Sequence, residues 1–154
     1  MAPRLGLGGG VTANPASGLF ASTPLLLDTY PNAHRAYSVR KLSNDYSGFA
    51  MKVREGSGMN YTADVAFDDD GVVSASSKIY NATGGGDDGD TLAEFIPSSD
   101  GFVTLWYDQS GEGVNAIQAS AGGQPKIFSS GSLVTAGSPA RAGTMWDGVN
   151  DFMA

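Results

Sequence analysis

The sequence predicts a mainly β protein, a β-sandwich, and three observations carry that expectation. In the first, the stretch Gly101-Phe102-Val103-Thr104-Leu105-Trp106-Tyr107 is aromatic and β-branched, and it runs straight into the turn chemistry of Asp108-Gln109-Ser110-Gly111-Glu112-Gly113. In the second, residues 49–54 and 61–67 alternate apolar and polar side chains, the period of a half-buried strand. The third is composition: 22 of 154 residues are Gly, only 16% are charged, and 41% are hydrophobic, so the polarity comes from neutral turn formers and the apolar content suffices for one core.

Element by element, the reading divides the chain at residue 23. Residues 1–23 are expected to form an extended glycine-rich N-terminal arm, because Gly6, Gly8, Gly9, Gly10, Pro15 and Gly18 interrupt every apolar stretch. Leu5, Leu7, Val11, Leu19 and Phe20 are spaced along it like pegs, which suits either a flexible leader or an anchoring arm that orders on a partner. Residues 24–154 form the expected sandwich domain.

It opens with the apolar run Leu25-Leu26-Leu27, closed by Pro31. Residues 31–42 are expected to form a short helix or helical turn, although Tyr37, Val39 and Leu42 would serve a strand nearly as well. A turn at Ser43-Asn44-Asp45 precedes expected strands over 49–54 and 61–67, and the turn Asp68-Asp69-Asp70-Gly71 leads to a third over 72–80. The glycine- and aspartate-rich run 84–90 reads as loop. Behind it, residues 91–96 fit one short helix with Thr91 as cap and Glu94 at the capping-box position, ended by Pro97. After the 102–107 strand come short strands over 116–119, 126–128 and 132–135. The segment 145–154 reads as the middle of a fold, so the sandwich is expected to be unfinished in this chain or completed by another copy or another protein.

Candidate chemistry is sparse. Asp87, Asp88 and Asp90, with Glu94 near by, form a metal candidate, as does Asp68-Asp69-Asp70, because calcium takes six to eight oxygens at about 2.3–2.6 Å. Neither run has EF-hand spacing, and aspartates capping turn N–H groups explain both. Asp147, Asn150 and Asp151 make a similar cluster. The expectation is therefore no metal and no cofactor. His34 is the sole histidine, and no positioned nucleophile surrounds it. Asn60-Tyr61-Thr62 and Asn81-Ala82-Thr83 match a glycosylation tripeptide that arises often by chance. Trp106, Tyr107, Trp146, Tyr61, Tyr80 and Phe128 could include a platform that stacks sugar rings, while strand alternation assigns at least half of the 102–107 aromatics to the core.

Charge and cysteine content narrow the partners. Nine Lys and Arg against 16 Asp and Glu leave a net charge of −7, which repels phosphate backbones and anionic lipids, so neither nucleic acid nor membrane insertion is expected. The chain has no Cys, which removes disulfides, thiolate metal sites and thiol nucleophiles together. No apolar run approaches the roughly 20 residues of a membrane span, and no signal-peptide core follows Arg4.

Four phrases carry a family resemblance: Ala36-Tyr37-Ser38-Val39-Arg40-Lys41-Leu42; Tyr46-Ser47-Gly48 with Met51-Lys52-Val53-Arg54; Gly101 to Gly113 with Asn115-Ala116-Ile117-Gln118-Ala119; and Gln124-Pro125-Lys126-Ile127. Through them the chain resembles the concanavalin-like jelly-roll β-sandwich of the α-L-arabinofuranosidase B type, and more closely bacteriophage virion proteins that carry this module. Trp106-Tyr107-Asp108-Gln109-Ser110-Gly111 is the most specific phrase. The leader Met1-Ala2-Pro3-Arg4-Leu5-Gly6-Leu7-Gly8 is similar to those that precede the module in the phage proteins. The resemblance implies a non-enzymatic virion component of a tail, baseplate or fibre, made in the host bacterial cytoplasm. Its partners would be other virion proteins, further copies of itself in a homo-oligomer, and host-surface glycans. The family's catalytic carboxylates lie beyond the matched region, so no residue here inherits them. A carbohydrate-binding or arabinofuranosidase-like module of a secreted bacterial protein is one alternative, and a capsid decoration protein another.

Overall fold

A computed structural model describes residues 23–154, so the arm residues Leu5, Leu7, Val11, Leu19 and Phe20 lie outside the described residues. The protein is mainly β. A seven-stranded antiparallel sheet contains β1 (Met51–Glu55), β2 (Thr62–Val65), β3 (Ile79–Tyr80), β4 (Gly101–Trp106), β5 (Ala116–Ile117), β6 (Lys126–Ser129) and β7 (Ser132–Leu133). Its order is β3-β2-β1-β4-β6-β7, with β5 sharing the far side of β4. A separate two-stranded ribbon pairs β8 (Thr135–Ala136) with β9 (Arg141–Ala142). Among the described residues the two α-helices are single turns, α1 (Leu26–Thr29) and α2 (Leu92–Phe95).

Alternation decides which face is buried. In β1, Met51, Val53 and Glu55 point inward and Lys52 and Arg54 outward. Register carries the same choice across the sheet, since Met51 faces Val65, Val53 faces Ala63 and Val103, and Val65 faces Ile79. These residues join Val73, Leu92, Phe95, Ile96, Ile127 and Phe128 in one core beneath a single face of the sheet. Each fully buried side chain of this size stabilises by roughly 1.5–3 kcal/mol. A bulge beside Lys52 and Val53 places Thr104 as the extra residue of β4, so that Phe102 and Leu105 both lie on the outward face.

α2 forms as the sequence predicts. The Thr91 hydroxyl accepts from the Glu94 N–H at 3.2 Å, and the Glu94 carboxylate accepts from the Thr91 N–H at 2.8 Å, closing a reciprocal cap. Leu92 and Phe95 of this turn enter the core.

Three expectations are corrected. Residues 31–42 are not helical: residues 31–32 form a turn, and the Lys41 N–H donates to Gly71 O and the Val73 N–H to Val39 O, both at 2.7 Å, so residues 39–41 lie extended beside residues 71–73. The strand-like Tyr37, Val39 and Leu42 pattern prevails there, and the helical turn falls earlier, at α1, where the Asp28 carboxylate accepts from the Leu25 N–H at 2.8 Å. The expected strand over 72–80 breaks at a serine turn, in which the Ser74 N–H donates to Ser77 Oγ at 3.0 Å, leaving only β3. The expected strand over 132–135 divides between β7 and β8, which belong to different sheets.

Candidate functional site

The polar turn after β4 is built as a clamp. Asp108 is buried, and its Oδ1 accepts from the Ala36 N–H at 2.8 Å and the Ser110 N–H at 2.9 Å. Its Oδ2 accepts from Ser110 Oγ at 2.7 Å and the Val114 N–H at 3.2 Å. Buried Gln109 does the same for the next residues: its Oε1 accepts from the Leu42 N–H at 2.8 Å and its Nε2 donates to Arg40 O at 3.1 Å. The Trp106 indole N–H donates to Ser38 O at 3.2 Å. Burial pushes the Asp108 carboxyl up, but its hydrogen bonds from Ser110, Ala36 and Val114 outweigh that and hold it below the usual carboxylate range. The most specific phrase of the sequence thus spends its polar groups on fastening residues 36–42 to the sheet. Just upstream, the Leu27 N–H donates to Leu42 O at 2.8 Å, and Asp28 Oδ1 accepts from Ser43 Oγ and the Asn44 N–H, both at 2.9 Å.

One acidic turn, residues 68–71, adjoins the clamped segment, and the other, residues 87–90, precedes α2. A groove of about 660 Å³ runs between residues 40–48 and the turn Asp68-Asp69-Asp70-Gly71, with Tyr46, Phe67 and Arg141 on its walls. Asp68 Oδ1 is occupied by the N–H groups of Asp70 and Val72, at 3.1 and 3.0 Å. Asp90 Oδ2 accepts from the Asp87 N–H at 2.8 Å, a turn-capping role. Among the described residues no three His, Asp or Glu side chains converge in a group that could hold a metal ion. The Asp147 side chain likewise accepts from the N–H groups of Val149 and Asn150, at 2.8 and 3.2 Å.

The outward face of the seven-stranded sheet holds a different assembly. One transverse row runs Tyr80, Asp64, Lys52, Leu105, Ile117 across five strands, and a second runs Thr62, Arg54, Phe102, Lys126. In the first, the Lys52 ammonium stands 3.2 Å from Asp64 Oδ1, the Tyr107 hydroxyl donates to the same oxygen at 2.7 Å, and Asn81 Nδ2 donates to Asp64 Oδ2 at 2.9 Å. Burial and the hydrogen bond to Asp64 both push the Tyr107 hydroxyl up, so it stays a donor. Phe49 lies between Tyr80 and Tyr107, with ring centroids 5.7 and 6.1 Å away. In the second row the Arg54 guanidinium sits 4.5 Å from the centre of the Phe102 ring, and the Lys126 ammonium 5.8 Å from it.

The aromatic residues singled out from sequence separate here. Trp106 faces inward, packed against the core, whereas Tyr107 belongs to the outward face. Trp146 is 44% exposed and donates its indole N–H to Thr144 Oγ1 at 2.8 Å. Its neighbour Met145 bridges to Lys126, at the opposite end of β4 from Trp106. Of the other platform candidates, Tyr80 lies on the outward face, whereas Phe128 is fully buried and Tyr61 packs against the core. Sequence reasoning missed Phe49, Arg54 and Asp64 as members of the same face as Tyr80 and Tyr107. The alternation in 49–54 and 61–67 held that signal, but only register brings the rows together.

Compared with known proteins, the chain matches no family model, no curated protein and no solved structure. Among the described residues, no helix is long and apolar enough to cross a membrane.

Proposed function

We propose that this protein is a non-enzymatic structural component of a bacteriophage particle, in a tail, baseplate or fibre. Residues 1–23 anchor it, and a concanavalin-like sandwich module is presented for adhesion to host-surface glycans. The observation that carries the reading is the clamp. Asp108, Gln109 and Trp106 lock residues 36–42 onto the sheet, and Asp28 ties α1 to the 43–45 turn, so the chain just downstream of the arm is rigidly fastened. A fastened root lets a docked arm transmit orientation to the whole module, whereas a loosely attached one would not. The same clamp supports a non-enzymatic role, because Asp108 and Ser110 are engaged with backbone and each other rather than facing a substrate. Copies arranged by particle symmetry would multiply a weak glycan contact through avidity.

Deleting residues 2–23 tests the anchor. The truncated protein should keep its β-rich circular dichroism and lose incorporation into particles purified on a density gradient. Retained incorporation would overturn the anchoring role.

A further inference from the structure

The outward face of the sheet collects three of the nine cationic side chains of a chain whose net charge is −7, namely Lys52, Arg54 and Lys126. Two of them have carboxylate partners: Lys52 is 3.2 Å from Asp64, and Lys126 is 2.7 Å from Asp100. Arg54 has no salt-bridge partner among the described residues. It is held instead by neutral groups, with Nε donating to Gln124 Oε1 and Nη1 to Asn60 Oδ1, both at 2.9 Å, over the face of Phe102. Among the described residues, Nη2 donates no hydrogen bond. A guanidinium fixed by amides on an aromatic ring has already given up its side-chain freedom, so an incoming carboxylate gains a charge-assisted hydrogen bond at low ordering cost.

We propose that this face binds a glycan with sparse carboxylates, one acidic sugar docking on Arg54 while neighbouring sugar rings pack against Phe49, Tyr80 and Tyr107. The inference rests on the adhesive reading above and assigns it a face and a ligand class. A sparse carboxylate fits better than a polyanion, because among the described residues Arg54 is the one cation of this face without a salt-bridge partner, and the net charge of −7 repels extended negative charge. The aromatic group of Phe49, Tyr80 and Tyr107, in ring contact 5.7 and 6.1 Å apart, favours a sugar over an acidic peptide as the occupant.

The full chain is applied to an array of oligosaccharides that each carry one uronic acid, printed beside their carboxyl-reduced counterparts. The acidic forms should bind at least about tenfold more tightly than the reduced forms, with a difference that shrinks as salt rises. Arg54→Gln should abolish that difference, and Arg54→Lys should restore part of it. Equal binding of acidic and reduced forms, or a preference that survives Arg54→Gln, would overturn the inference while leaving adhesion intact. Binding of neither form would overturn the inference and the adhesive reading together. Circular dichroism identifies whether Arg54→Gln folds; if it does not, the comparison of acidic and reduced sugars on the native protein decides.

Discussion

Asp108 concentrates in one side chain what holds the amino-terminal segment to the sheet. Its carboxylate serves three backbone N–H groups and one hydroxyl, so Asp108→Ala strands several donors in a buried place. A loss of about 2–4 kcal/mol in urea unfolding is expected. The pH response follows from the same bonds. The folded carboxyl is depressed below its ordinary value, so its contribution is complete above the unfolded value of about 3.9 and disappears as pH falls through the folded value. Wild-type stability should therefore drop on acidification below about pH 4, and Asp108→Ala should flatten that drop. Glu55, buried on the core face, adds to the same slope: burial pushes it up, but hydrogen bonds from Ser57 and Tyr61 hold its carboxyl low. The Asp-Gln-Ser-Gly run announced a turn in the sequence. That its side chains reach 67 to 76 residues back along the chain was not legible, because hydrogen-bond partners distant in sequence leave no local pattern.

Among the elements, the strands with clean alternation were legible and the short ones less so. β1, β2 and β4 fall within a residue or two of their expected places, and the capping box named α2 outright. β9 and the break at Ser74–Ser77 escaped, since a two-residue strand has no period and a serine turn competes with a strand through bonds to its own backbone. The β6–β7 hairpin turns on Ser130 and Gly131, with φ of 51° and 76°, the two positive values of a type I′ turn. Gly131 also presses against the Pro97 carbonyl, where an added Cβ would collide, and its N–H donates to Ser99 O at 2.8 Å. Gly131→Ala should accordingly cost about 2 kcal/mol or more, combining left-handed strain with the collision. Thermal unfolding followed by circular dichroism checks this, and an unchanged midpoint would contradict the turn geometry.

At the scale of the whole molecule, one buried and one open face of a single sheet divide the labour. The buried face carries the core and the clamp fastens residues 36–42 to the sheet, while the open face presents aromatic and cationic groups outward. The mainly β class was visible from strand patterns and turn residues, whereas the composition of the open face depended on register that no single segment encodes. Both halves of the proposed role meet in the arm, because adhesion by the open face serves a particle only if the module is fixed to it. The most direct test is a cryo-EM reconstruction of purified particles containing this protein. Continuous density is expected for residues 1–23 laid along a neighbouring virion protein, with the β module held outward in a repeated orientation. Particles that lack the protein, or modules attached through the sheet face with no density for the arm against a neighbour, would contradict it.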